Sequence, residues 1–139
     1  MACGSIGHFR EGCMMSLYET RNVDFRHQDY RGSLIQLVHG GFKQINVLES
    51  KDGSSRGAHF HKRSVEAFYV IEGSVVVRLW NKEKEETVTF KKGDFFEIHP
   101  FILHTMYFLA DCIMVQMYDI PVENEDGTKD IYMEDEFNA

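Results

Sequence analysis

Cysteine is scarce in this chain. Cys3, Cys13 and Cys112 are the only three, an odd number without the CxxC spacing of a thiolate metal site. No disulfide framework is implied, and a reducing compartment, the cytoplasm, is the expected home. Proline is scarcer: Pro100 and Pro121 stand alone, the first ending a predicted strand and the second marking a shift to acidic composition. Basic charge is in the minority, with 15 Lys and Arg against 22 Asp and Glu and a formal net charge of −7. That balance excludes the basic footprint nucleic acid requires. It does not exclude a small anionic ligand, which needs only a few local cations. No apolar stretch approaches the ~18 residues of a membrane span, and the N-terminus has no leader-type apolar region, so no membrane partner is expected. Convincing amphipathic helical periodicity is missing as well.

What is present is a succession of short apolar or alternating runs separated by turn residues. Residues 17–25, 34–38, 42–48, 67–71, 74–80, 87–90, 95–98, 104–109 and 112–118 read as strands. Turns are expected at 29–33, at Glu72-Gly73 and at 91–94. In the run 42–48, Phe42, Gln44, Asn46 and Leu48 share one face, and Lys43, Ile45 and Val47 the other. Two readings stand there: Gln44 and Asn46 line a polar cavity, or they face solvent while Ile45 and Val47 enter the core. In 104–109, His104, Met106 and Phe108 share a face turned away from Thr105, Tyr107 and Leu109. Many short strands in 139 residues predict one all-β domain, a sandwich or barrel. Its expected parts are a flexible N-terminal arm over 1–14, the folded domain over 15–120, and an acidic tail over 121–139. Tyr132, Met133 and Phe137 are expected to dock part of that tail as a short helix.

The chemistry gathers around Arg56-Gly57-Ala58-His59-Phe60-His61-Lys62. His59 and His61 are two apart, which puts both imidazoles on one face of a strand. Alone, such a pair is ordinary. With Glu66 five residues on and His104 far downstream, it becomes a nitrogen and oxygen set suited to one divalent first-row metal, Zn, Fe, Mn or Ni. Arg78 stands within an apolar strand, where a charge is costly unless paired or facing a wet cavity. By parity Tyr107 points away from His104 and Tyr69 from Glu66. Tyr118 lies on the last long predicted strand.

The spacing His59-x-His61-x4-Glu66-x6-Gly73, followed by Gly93-x5-His99-Pro100-x3-His104, resembles the two cupin motifs. The fold this implies is a double-stranded β-helix, or jelly roll. The second motif departs from the pattern: His99 stands where its first Pro is expected and Phe101 where its Gly is expected. The stretches 29–34, 44–46 and 56–59 resemble landmarks of cupins that act on nucleotide-linked 4-keto sugars. Likeness to the dTDP-4-dehydrorhamnose 3,5-epimerase family implies His59 as catalytic base and Arg56 as a phosphate contact. The segment 56–62 is more similar still to sugar 3,4-ketoisomerases, and 130–132 and 135–137 echo their tail. That group is expected to work without a full metal set, on histidines and a Tyr. This chain keeps Glu66 and His104, as a metal-binding relative would, like the cupin domains of capsular-sugar reductases that epimerise at C3.

The resemblance therefore implies an isomerase or epimerase of a nucleotide-activated 4-keto-6-deoxy sugar. His59, His61 and Tyr118 would be catalytic. Arg56, Lys62, Arg78, Gln44 and Asn46 would bind substrate, and His59, His61, Glu66 and His104 would hold the metal if there is one. His59 cannot be a tight ligand and a free base at once, so those two assignments compete. A metal-dependent cupin oxygenase and a non-catalytic metal- or sugar-binding cupin are the alternatives. The expected partners are a sugar nucleotide and a second copy of the chain, a homodimer joined along an exposed strand edge such as 34–38.

Overall fold

The computed structural model describes residues 16–137. The arm expected over 1–14 lies outside the described residues. The chain runs through β1 (Glu19–Thr20), β2 (Phe25–Asp29), β3 (Gly32–Gln36), β4 (Gln44–Ser50), β5 (Ser55–Phe60) and β6 (Glu66–Glu72). It continues through β7 (Ser74–Trp80), β8 (Glu85–Lys91), β9 (Phe95–Ile98), β10 (Leu103–Tyr107), β11 (Cys112–Tyr118) and β12 (Tyr132–Met133). A single 3-10 turn over Glu134–Glu136 follows. Two five-stranded sheets form, in the orders β1-β9-β6-β11-β4 and β12-β5-β10-β7-β8, with β2 and β3 as a separate ribbon. The strands pair antiparallel throughout. Two facing antiparallel sheets with these crossovers make the expected jelly roll.

Alternation decides which residues enter. On β7, Val75, Val77 and Leu79 are fully buried while Val76, Arg78 and Trp80 look outward. Phe68, Val70, Phe96, Ile98 and Met114 of the first sheet meet Val75, Val77, Leu79, Phe90 and Met106 of the second to make the main core. Strand β6 does not alternate, because both its faces are covered. Its other face carries Ala67 and Tyr69 into a second cluster with Phe95 and Met117, roofed by Val23, Leu37, Val38 and Phe42. Met106 and Phe108 are buried and Tyr107 exposed, as the parity of 104–109 predicted.

Several expectations change. The run 17–25 is not one strand: only Glu19–Thr20 pairs with the sheet, and Phe25 begins the separate ribbon. The two readings of β4 are resolved by exposure. Ile45 and Val47 are 60% and 65% exposed, so Gln44, Asn46 and Leu48 turn inward. The short helix expected in the tail is instead β12, which pairs with β5 and precedes the 3-10 turn. Tyr132 and Phe137 pack on the buried Phe60 ring, at centroid distances of 5.6 and 5.0 Å. No helix among the described residues is long and apolar enough to cross a membrane.

Candidate active site

The site begins with an irregularity in β5. His104 pairs with His59 and Thr105 with Gly57, so Ala58 is an extra residue, a bulge. Ala58 takes φ +62°, in the left-handed region. Gly57 is required beside it, since a Cβ there would lie 2.6 Å from the His104 carbonyl oxygen. In regular alternation Arg56 and His59, three residues apart, would face opposite sides. The bulge restores both to one face, opposite Met106 and His104. His61 follows just past the end of β5, and Glu66 opens β6 beside β11.

His59, His61, Glu66 and His104 thus converge, with one ligating atom from each lying within 4.8 Å of the others. His61, Glu66 and His104 are buried, at 1–2% exposure. His61 Nε2 and His104 Nε2 each lie 3.1 Å from the same oxygen, Glu66 Oε1. Behind them, the His61 Nδ1 is 2.6 Å from the Asp130 carbonyl and the His104 Nδ1 is 3.0 Å from the Ile102 carbonyl. A carbonyl only accepts, so each Nδ1 carries a proton and each Nε2 is turned to Glu66, as a donor where it is protonated and as a lone pair where it is not. Lone pairs facing a carboxylate oxygen need a proton or a cation between them. The contact at His104 lacks hydrogen-bond geometry and leaves its Nε2 without a formed partner. With this buried Nε2 orphaned, the donor set fits a divalent metal: backbone carbonyls hold the outer ring nitrogens, as outer partners do at metal sites.

The other Glu66 oxygen is saturated. Oε2 accepts from Gln116 Nε2 at 2.6 Å and from the Tyr118 hydroxyl at 3.0 Å. Gln116 in turn accepts from Asn46 at 2.9 Å. Gln116 was missed by the sequence reading, although parity with Met114 and Tyr118 on β11 points it inward. Asp130 was missed with less to find it by, because its role depends on the tail folding back.

These contacts set the charges. Burial would raise the Glu66 pKa, but the contacts with His104 and His61 outweigh it and hold the carboxylate well below its usual range. Burial likewise opposes protonation of His61, yet Glu66 draws its pKa above the ordinary value. His59 goes the other way: burial, reinforced by His104, lowers it to about 4. The Tyr118 hydroxyl is pushed upward by burial and by the charge on Glu66.

A cavity of about 430 Å³ opens over this cluster. Arg56, His59, Glu66, His104, Gln116 and Tyr118 supply its polar wall, and Leu48, Phe68, Met106 and Ile131 its apolar one. Arg56 is anchored by Nε to the Ser50 hydroxyl and by Nη2 to the Glu49 carbonyl. Other expected site residues are not brought there. His61 sits behind the cavity wall. Arg78 lies on the outer face of β7, because its neighbours Val77 and Leu79 fill the core; it pairs with Glu85 and stacks on Trp80. Lys62 is exposed, with its ammonium over the Tyr132 ring. The Gln44 amide oxygen is occupied by the Val122 N–H. Asn46 reaches the site only through Gln116.

A model of the polysaccharide biosynthesis C-terminal domain family matches residues 27–120. No curated protein matches the chain. Among solved structures, QdtA, a sugar 3,4-ketoisomerase from Thermoanaerobacterium thermosaccharolyticum in complex with TDP, is 19% identical, with a TM-score of 0.75 over 89% of this chain and 93% of that one. A 3,4-ketoisomerase from Helicobacter canadensis is 24% identical, with a TM-score of 0.72 over 86% and 93%. A dTDP-4-dehydrorhamnose 3,5-epimerase from Sulfolobus tokodaii is 16% identical, with a TM-score of 0.62 over 81% and 80%. At these identities the likeness is one of fold, the cupin double-stranded β-helix.

Proposed function

Because the chain belongs to the polysaccharide biosynthesis C-terminal domain family, we propose that it is an isomerase or epimerase of a nucleotide-activated 4-keto-6-deoxy sugar. The structural neighbours named for sugar 3,4-ketoisomerase and 3,5-epimerase activity support this reading. The observation that carries it is the bulge at Ala58, which brings a guanidinium and a neutral imidazole, Arg56 and His59, to one cavity wall.

Arg56 receives the diphosphate. Its Nε and Nη2 are anchored, and its Nη1 makes no hydrogen bond among the described residues, so a planar donor edge is pre-oriented for an anion. His59 is the base. With a pKa of about 4 it is neutral at physiological pH, and it lines the cavity. It takes the proton from C3, α to the C4 carbonyl; the C–H pair forms a C3–C4 double bond and the carbonyl π pair moves to the C4 oxygen to give an enediolate. Delivery of a proton to C4 from His59, after exchange with solvent, while the C3 hydroxyl proton passes to the C4 oxygen, yields the 3-keto sugar. One base suffices for that outcome. Inversion at C3 needs a second donor on the opposite face. Tyr118 is the tyrosine at the cavity, but its hydroxyl is bonded to Glu66 and its pKa is raised. The geometry therefore favours ketoisomerisation over epimerisation.

His61, Glu66 and His104 are the residues that would hold a divalent metal, leaving His59 free as base. Such an ion would act as a Lewis acid toward a developing enediolate oxygen. Without it, Glu66 pairs with His61, whose pKa it raises, and holds Tyr118 and Gln116 in place. The four convergent donors also favour a second reading, a metal-dependent oxygenase, which oxygen uptake would identify. Arg56 at the cavity weighs against it, since that chemistry needs no phosphate contact there.

A homodimer belongs to the same reading. The β2–β3 ribbon carries Phe25 and Leu34 at 52% and 57% exposure, and an isolated two-stranded ribbon is marginal in water. A second copy would cover it, which light scattering tests directly. A cytoplasmic location is likewise part of the proposal. The function is tested by incubating the protein with TDP-4-keto-6-deoxyglucose and following the sugar by NMR. Appearance of a 3-keto product, abolished by Arg56→Ala and by His59→Gln, is expected. An unchanged sugar would overturn the reading.

A further inference from the structure

We propose that Asp130 is a positioning residue of this cavity, its main-chain carbonyl orienting the His61 imidazole and its carboxylate fixing the loop that carries it. The inference rests on the cavity being the working site, and extends that reading to a residue that does not line it.

His61 lies beyond the last ladder pair of β5, so strand pairing does not hold its side chain. The connection to β6 leaves three successive N–H groups, those of Lys62, Arg63 and Ser64, without ladder partners. The Asp130 carboxylate accepts all three: Oδ1 from Lys62 at 2.9 Å, and Oδ2 from Arg63 at 3.1 Å and Ser64 at 3.0 Å. Successive N–H groups converging on one carboxylate form an anion nest, and charge-assisted bonds of this kind are the stronger ones. The same residue donates its own N–H to the Val122 carbonyl at 2.7 Å and accepts the His61 Nδ1–H at 2.6 Å. Asp130 is 2% exposed. It is locked in place by five hydrogen bonds.

The neighbouring chain prepares that crossing. Val65 N–H donates to the Asp119 carboxylate, Ser64 Oγ to the Ile120 carbonyl, and Arg63 to the Pro121 carbonyl. The segment after β11 therefore runs along the His61–Glu66 loop before Asp130 closes over it, and β12 then pairs with β5. His104 provides the contrast. Its Nδ1 is held by Ile102, two residues away on its own chain stretch, and needs nothing from the tail. A structural anchor elsewhere in the tail would hold the segment without touching the imidazole. Asp130 does both.

The test reads the imidazole directly. In wild-type protein, 15N-edited NMR should show slowly exchanging Nδ1 protons on both His61 and His104. In Asp130→Asn, where an amide replaces part of the anion nest, the His61 Nδ1 proton should exchange about tenfold faster or more, with the His104 proton unchanged. Asp130→Ala should lose the His61 signal entirely. If the alanine chain does not fold, the asparagine chain decides on the same two protons. An unchanged His61 proton, or equal acceleration at both histidines, would overturn the proposal. With TDP-4-keto-6-deoxyglucose as substrate, Asp130→Asn should lower kcat by about 10–100-fold with little change in KM, because Arg56 is untouched. Absence of turnover in the wild type would remove the functional reading, while the exchange data would still decide the role of Asp130.

Discussion

Two clusters of histidine and carboxylate occur among the described residues, made of the same groups and set for opposite behaviour. At the surface, His99 lies 3.0 Å from Glu97 and 3.5 Å from Glu19, with Arg21 bound to the other Glu97 oxygen at 2.9 Å. Beneath the cavity, His61 and His104 meet Glu66 at the same range. The difference is water. His99 and Glu19 are 46% and 59% exposed in their side chains, whereas His61 and Glu66 are at 2% and 1%. Solvent screens the first set and can replace any contact it loses. The second has no substitute for a missing partner, so its charges are fixed by geometry alone. Ligand-like spacing is common to both, and burial gives only the inner one a defined chemistry.

The sharpest way to break that comparison is to neutralise one carboxylate in each. Glu66→Gln strands two buried imidazoles and should cost about 3–5 kcal/mol in denaturant unfolding. Glu97→Gln should cost about 1 kcal/mol or less. Equal effects would contradict the contrast. Next comes metal content after reconstitution, read by mass spectrometry. If the inner cluster binds, about one divalent ion per chain should be retained, lost in His61→Ala/Glu66→Ala and kept in Glu97→Ala/His99→Ala, since ligand set and burial favour only the first. Retention by the first variant would refute the assigned ligands.

A third test uses pH. Because His59 stays neutral until pH falls to about 4, the acid limb of kcat/KM should have its midpoint well below the ~6.5 of a free imidazole. Activity is present above that midpoint, where the base is unprotonated, and is lost below it. A midpoint at the free-imidazole value would remove His59 from the role. The smallest effect concerns the bulge. Ala58→Gly relieves a left-handed residue worth about 1–2 kcal/mol, partly offset by about 0.4–1 kcal/mol of added unfolded-state freedom. Thermal unfolding should show a gain of up to about 1.6 kcal/mol. A loss would mean that the Ala58 methyl group packs where the bulge needs it.

Much of this architecture was legible because parity is a local property. The faces of β7, β10 and β11 follow from two-residue alternation, and Arg78 could have been assigned outward by the same rule, between Val77 and Leu79. The histidine and glutamate set was legible from spacing and resemblance. Phe101 even adopts φ +63° at the position where the cupin pattern calls for glycine. What could not be read was whatever depends on a second segment. The bulge at Ala58 exists only against β10. The inward turn of β4 follows from how the sheets face each other. Asp130 matters only once the tail has returned to the loop at His61. Lys62 looked like a phosphate contact in the motif, but β5 ends before it and leaves it outside.

The central claim is that His59 removes the proton at C3 of a nucleotide-linked 4-keto sugar. The most direct measurement is solvent deuterium incorporation into TDP-4-keto-6-deoxyglucose, followed by NMR with wild-type protein and with His59→Gln. The account predicts deuterium in the sugar ring at the C3 and C4 positions with wild type and none above background with the variant. Equal incorporation by both proteins would contradict it and pass the base to another group in the cavity.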